Sequence, residues 1–293
     1  LNEEITATCE LFAAIEGGSE FWSKEIRSLG ALGTRDKLLS GGYLESKHSA
    51  GKISERIKSL DGEQILEKIC ESDSCFISPS DERWPICLED LKAPPIGLII
   101  KGNLANLSYL TTSIAIVGTR NPTSYGSRIA GDFAAGLADR DWMVISGGAI
   151  GIDSYAHKGC LAAEGLTVAV LGGGVNRNYP ASNQAMFEDI AETGLLISEV
   201  MPDVVALPHR FLIRNRLIAA LSRATLVVEA AFRSGSLRTA RDAAEIYRPV
   251  MAVPGPINAP TSEGCHRLIS ERCAELVSSV GEIMELVLPL EVR

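Results

Sequence analysis

The sequence predicts an α/β protein: a doubly wound parallel, Rossmann-like sheet preceded by a small helical domain. From about residue 113, six short β-branched runs, SIAIVG, WMVISGG, LTVAVLGGG, LLISEV, ATLVVEA and PVMAVPG, recur about every 25 to 30 residues, separated by helix-like segments rich in Ala, Leu and Arg. The runs are apolar throughout and do not alternate with polar residues, which marks strands covered on both faces by crossover helices. Before residue 75 the pattern is instead a helical periodicity interrupted by glycine.

Taken in order, residues 1–75 read as a helical domain of roughly four or five helices, with breaks at EGGSE, LGALG and SGGYLES. Residues 76–111 read as an extended connector that packs onto the next domain through Trp84 and two apolar runs. Over residues 1–111 the chain is acidic, with 12 basic and 18 acidic side chains. Residues 112–293 form the Rossmann-like domain, whose last strand precedes one or two terminal helices after residue 260.

A chain of 293 residues with 46% hydrophobic and 22% charged residues has the composition of a soluble globular protein. No apolar run approaches the roughly 18 residues of a membrane span, and the acidic start LNEEITATCE is unlike a basic signal peptide, so a cytoplasmic location is expected. Seven cysteines without a C-x-x-C pair predict reduced thiols. Four scattered histidines predict no metal site.

The net charge of −9 argues against a protein basic over its whole surface. Charge is nevertheless segregated: residues 204–248 hold eight arginines against Glu229, Asp242 and Glu245, a local net of +5.

Open parallel sheets bind ligands beyond the carboxyl ends of their strands, where loops meet helix N-termini. The loops there are GTRNPTSYG, SGGAIGID, GGGVNRNYPASN, MPDVVALPHRF and FRSGSLRTA. Their glycines let backbone N–H groups approach an anion, which makes Gly118, Thr119, Arg120, Gly147, Gly148, Ser234, Gly235 and Ser236 candidate contacts. The first loop lacks the lysine of a P-loop, and the second strand ends in Ser146-Gly147-Gly148 where a dinucleotide fold needs an acid, so no cofactor is expected.

Pro208 suits a first helical turn, which places His209, Arg210, Arg214, Asn215 and Arg216 in the opening turns of a helix near the carboxyl edge. Cations there oppose the helix macrodipole, and a bound anion would reverse the penalty; pairing with Glu199, Asp203 or Glu229 is the alternative. On the first of these readings, replacing Arg214 and Arg216 by alanine removes binding and leaves the melting temperature unchanged or higher. Asp153 and His157, four apart, read as a helix cap and a packing residue, because no nucleophile or third group accompanies them; no catalytic residue is assigned.

IAIVGTRNPTSYG, SGGAIGIDSYAHKGCLAA, GGGVNRNYPASN, FLIRNRLIAALS, VVEAAFRSGSLRTARDAAE and VMAVPG, in this order and spacing, resemble the DNA-processing protein A family, DprA, also called Smf. DERWPICLEDLKAPPIGLIIKGNL resembles the connector before that family's nucleotide-fold domain, and the N-terminal helices resemble its sterile-alpha-motif-like or helix-hairpin-helix extension.

The resemblance implies a non-enzymatic recombination mediator that binds and protects single-stranded DNA, helps load the RecA recombinase in natural transformation, and forms a homodimer through the α/β domain. It implies DNA contacts at Arg120, Lys158, Arg214, Arg216 and the Ser234–Ser236 loop.

Thr119 stands where many members have serine, and Ala181 follows Tyr179-Pro180 where many have lysine. No winged-helix sequence of the kind that ends some members is recognised. With aromatics at 5% of the chain, backbone tracking with little base stacking is expected. The alternative is a nucleotide-binding or nucleoside-monophosphate-cleaving enzyme of the related nucleotide-fold group, which carries P-G-G-x-G-T-x-x-E; the nearest stretch here, RSGSLRTARDAAE, lacks that glycine pattern. An interaction scaffold working through the N-terminal helices is a third function class, as an added role.

Overall fold

A computed structural model describes residues 2–43 and 48–288. Among the described residues one nine-stranded sheet, in the order β1-β2-β6-β5-β4-β3-β7-β8-β9, organises the molecule. The six runs singled out above are β3 (Ser113–Val117), β4 (Met143–Ser146), β5 (Thr167–Leu171), β6 (Leu195–Ser198), β7 (Ala224–Val227) and β8 (Val250–Ala252). These six pair in parallel and every residue in them is buried, which accounts for their unbroken apolar character. A two-residue strand, β9 (Glu275–Leu276), adds in parallel to β8.

Helices cover both faces. On one lie α5 (Ser124–Ala138), α6 (Ile152–Ala162), α7 (Gln184–Thr193) and α11 (Val280–Val287), which bury Phe133, Leu137, Ile152, Phe187 and Ile283 against the sheet. On the other lie α8 (Pro208–Leu221), α9 (Ser236–Glu245) and α10 (Glu263–Ser270), which bury Leu217, Leu221, Leu237 and Leu268. Gly131 and Gly159 let α5 and α6 touch backbone to backbone, since a Cβ on Gly159 would overlap the Gly131 carbonyl. The chain runs outward from β3 to β6 and then returns to the other side of β3 as β7, so the strand order reverses between β3 and β7 and opens a crevice at their carboxyl ends.

The segment 76–111 does more than connect. Phe76 and Ile77 belong to β1 (Cys75–Ile77), and β2 (Leu98–Gly102) pairs antiparallel with both β1 and β6. The sheet is therefore mixed, parallel at its centre with two antiparallel strands at one edge. Both strands are short and flanked by prolines, which hid them from a reading based on periodicity. Two 3-10 segments, Ile86–Asp90 and Leu104–Thr112, complete the stretch.

Four helices precede the sheet among the described residues: α1 (Glu3–Ala14), α2 (Glu20–Leu39), α3 (Ala50–Ile57) and α4 (Gly62–Glu71). Asn2, Ser19 and Asp61 cap α1, α2 and α4 by accepting backbone N–H bonds. EGGSE separates α1 from α2, whereas LGALG kinks α2 at Gly30, where φ is 74°. The Glu4 carboxylate accepts from Ala31 N and Leu32 N, at 2.6 and 3.2 Å, and so satisfies donors the kink frees. SGGYLES ends α2, and residues 44–46 of it lie outside the described residues. Leu11, Trp22, Leu38 and Ile53 form the helical core, while Cys9 and Phe12 join Phe76 and Ile99 on the sheet edge. Among the described residues no helix is long and apolar enough to cross a membrane.

Candidate nucleic-acid interface

The loop after β3 is held from both sides of the crevice. Thr119 N donates to Glu229 O at 2.7 Å, and Ile152 N donates to Thr119 O at 3.1 Å. Gly118 is required there because a Cβ would overlap Ile152 and the Glu229 carbonyl. Arg120 projects outward from this anchored turn, exposed, with its guanidinium 5.5 Å from the centroid of the Phe211 ring and no carboxylate partner among the described residues.

A nucleotide fold usually seats a phosphate at the N-terminus of the helix after its first strand. Here that position, the start of α5, is filled by the chain itself. Glu229, 3% exposed, accepts from Thr123 N at 2.9 Å and from Thr123 Oγ1 at 2.6 Å, and Thr123 in turn caps Gly126 N. A buried carboxylate on these donors blocks an anion from taking the same place.

Gly147 and Gly148, after β4, are buried and form the floor of the edge. Asp153 accepts from Gly147 N and Ala149 N at 3.1 and 3.4 Å, so the Gly147 N–H is already engaged. Asn183 Nδ2 donates to Gly148 O and to Ser154 Oγ, at 3.0 and 2.7 Å. Gly148 has φ +66°, and a Cβ there would strike Phe187. These glycines shape the loop and offer little of themselves to a ligand.

The α8 arginines diverge. Two residues along a helix is a rotation of about 200°, so Arg214 and Arg216 point to nearly opposite sides and cannot share one phosphate. Arg214, 6% exposed, turns into the sheet, donates to the Val170 carbonyl and lies under Gly147. Arg216 turns toward the connector, bonding Glu199 at 2.6 and 2.9 Å and the Ala93 carbonyl at 3.2 Å. Arg210 donates to Glu16 in the α1–α2 loop at 2.6 and 3.2 Å, and this bond holds the Glu16 carboxyl below the usual range. His209 Nε2 lies 3.4 Å from the same carboxylate.

Stability is therefore not indifferent to these arginines, which corrects the expectation drawn from the helix dipole alone. Of the carboxylates the sequence offers as partners, Glu199 pairs with Arg216, whereas Arg210 takes Glu16, which the sequence does not single out.

Across the crevice, Asn215 is buried and its Nδ2 donates to Gly235 O at 3.3 Å. This bond and the Ser234–Ser236 hydroxyl contact at 2.7 Å shape the loop before α9. Ser236 is buried, whereas Gly235 and Arg233 are exposed, and Ser236 N at the start of α9 donates to Ser234 Oγ at 3.4 Å. Lys158 is exposed on α6, six residues beyond the helix start, on the flank of the crevice and not in its mouth.

Sequence reasoning missed the aromatics. Tyr179, 56% exposed, lies 5.6 Å from Phe211, ring centroid to ring centroid, and Phe211 contacts both Arg120 and Arg214. Scarcity of aromatics over the whole chain concealed a local pair; the signal available was Phe211 itself, placed among arginines. Glu229 could have been found as an acid inside the apolar run ATLVVEA.

His157 is fully buried beside this cluster. Thr167 Oγ1 donates to Val144 O, so it accepts from His157 Nδ1 at 2.8 Å, which leaves Nε2 as a buried acceptor without a partner. Burial, and then the nearby Arg214 charge, push the His157 pKa down to about 3. The unfolded chain takes up this proton near pH 6.5 and the folded chain does not, so stability present above that value is lost as pH falls. The slope is about 1.4 kcal/mol per pH unit from this group. Asp153, raised by burial, acts with the opposite sign. Urea unfolding from pH 7 to 4 should show a shallower pH dependence in His157→Gln than in the parent; equal slopes would contradict the assignment.

Fold and edge together define a Rossmann-like α/β protein whose carboxyl edge is built from glycine loops and carries outward-facing cations. The chain belongs to the family described as DNA recombination-mediator protein A, whose profile matches residues 75–288. It is 43% identical over 233 residues to the putative DNA processing protein DprA of Mycobacterium tuberculosis (strain ATCC 25618 / H37Rv), covering 76% of this chain and 60% of that protein. With protein Smf of Escherichia coli (strain K12) it shares 40% identity over 236 residues, covering 79% and 62% respectively. The chain thus spans about three fifths of the length of these relatives.

Among solved structures, DprA from Streptococcus pneumoniae superposes with a TM-score of 0.81 at 29% identity, over 96% of each chain. DNA processing protein A from Helicobacter pylori, studied for its single-stranded DNA binding mode, superposes with a TM-score of 0.64 at 29% identity, over 72% of this chain and 94% of that one.

Proposed function

We propose that this family member binds single-stranded DNA along its carboxyl edge and acts as a recombination mediator without catalysing a reaction. The observation that carries the reading is Arg120, a cation held outward by an anchored turn, with Phe211 at its side and Tyr179 exposed beside that ring. Such a pairing grips a phosphate and offers a stacking surface to the adjoining base. Lys158, Arg233 and the open Gly235 loop extend the cationic edge. The Helicobacter pylori relative's single-strand binding supports the same reading.

Gly118, Thr119, Gly147, Gly148, Asn215, Ser234 and Ser236 shape the loops in this reading, and Arg120, Lys158, Arg233 and Gly235 meet the strand. Arg210 joins them only if DNA displaces Glu16. The finer roles are part of the proposal: loading of RecA, homodimerisation through the α/β domain, protection of DNA during natural transformation and a cytoplasmic location. The alternative enzymatic reading is disfavoured because Glu229 occupies the helix end where a nucleotide phosphate would sit.

Fluorescence anisotropy with a labelled single-stranded 30-mer and its duplex tests the proposal. Single strands should bind more tightly, and about three phosphate contacts should give a log-log salt slope of about −2. Duplex binding equal to or tighter than single-strand binding, or a slope near zero, would remove the basis of the reading. Nucleoside monophosphates incubated with the same sample should remain uncleaved.

A further inference from the structure

We infer that Asp153 and Arg214, neither of which is exposed to a ligand, position the single-strand-binding edge from beneath by fixing the Gly147–Ala149 loop and the Phe211 ring against which Arg120 lies. The inference rests on the proposed function and extends it to two residues that touch no DNA.

Asp153 is 7% exposed and Arg214 is 6% exposed, so both are closed off from solvent. Asp153 Oδ2 accepts from Gly147 N and Ala149 N, which binds the loop to the start of α6. Arg214 comes from α8 on the opposite face, passes under Gly147, and donates to the Val170 carbonyl of β5. The absence of a Cβ on Gly147 makes room for the guanidinium, since a Cβ would overlap it. The two groups favour each other's charged form in the core: burial raises the Asp153 carboxyl pKa, and the Arg214 charge pulls it back.

The link to the surface is Phe211. Its ring centroid is 5.9 Å from the Arg214 guanidinium and 5.5 Å from that of Arg120. Arg214 is therefore joined to the sheet by a hydrogen bond, to the loop by packing and to Phe211 by a cation-π contact. Arg214 Nε is buried without a partner, so the side chain is not held there by full hydrogen-bond satisfaction alone. Loss of the Asp153 acceptor or of the Arg214 guanidinium releases the loop and lets Phe211 rotate, and Arg120 loses its lateral support.

The test uses the sign of a charge change. Asp153→Ala removes the carboxyl that accepts from Gly147 N and Ala149 N, and by electrostatics alone the loss of an acid from below a phosphate-binding surface does not weaken DNA binding. Positioning predicts the reverse, a loss of about tenfold in affinity for a labelled dT 20-mer. In an Arg120→Ala background the same substitution should change affinity by less than about twofold, because the contact it positions is already gone. Arg214→Lys, which keeps the charge without the planar fork, serves as the second variant and should show the same coupling to Arg120→Ala.

Circular dichroism confirms which variants are folded, and the Arg214→Lys cycle decides the matter where Asp153→Ala is not. Unchanged or tighter binding by the folded Asp153→Ala protein, or losses fully additive with Arg120→Ala, overturns the inference while leaving the proposed function standing. Absence of dT 20-mer binding by the parent overturns the proposed function, and this inference with it.

Discussion

Replacing Arg214 and Arg216 together by alanine is expected to destabilise the fold by about 3 to 5 kcal/mol, the range found when one partner of a buried ion pair is removed. Arg216 and Glu199 have side chains only 12% and 10% exposed, so Glu199 would be left buried without its cation. Arg214→Ala adds a second penalty, because the Val170 carbonyl loses a donor and Asp153 loses the charge that offsets its burial. For a domain of this size the melting temperature should fall by about 10 °C. A scan followed by circular dichroism checks this, and a variant that melts with the parent would show that both guanidinium groups are dispensable to the core.

The opposite signature is expected at the outer edge. Arg120→Ala combined with Lys158→Ala should weaken single-strand binding strongly, since each charge-assisted hydrogen bond is worth about 1.5 to 3 kcal/mol. Both side chains are exposed and neither has a carboxylate partner among the described residues, so the melting temperature should move little. The salt slope should become shallower by about 0.7 for each phosphate that is no longer neutralised. If affinity and slope both survive the double substitution, the strand does not run over this edge.

These two outcomes divide a set of arginines that the sequence presents as one group. Local spacing already contained part of the division, because the rotation between Arg214 and Arg216 follows from helical geometry. His157 as a packing residue was also legible and agrees with its buried bond to Thr167, whereas Asp153, expected to cap the helix, sits within its first turn and accepts from Gly147 N and Ala149 N of the preceding loop instead. By contrast, nothing in the glycine break EGGSE indicates that Glu16 reaches Arg210, 194 residues away.

What the sequence determined by itself was the parallel core and the edge at which the loops after its strands gather. Six apolar runs at regular intervals demand strands buried on both faces, and their parallel pairing then places all the following loops at one edge. The antiparallel strands of residues 75–102 escaped that reasoning, since three to five residues between prolines carry too little periodicity to separate strand from loop. Only the tertiary structure decided which cations face solvent. Glu16, Glu199, Glu229 and Asp153 each occupy donors at the same edge, and whether an arginine is free depends on which carboxylate packing brings to it. Hydrophobic periodicity is a local property of the chain, whereas an ion pair is selected by the docking of distant elements, and no local pattern records that choice.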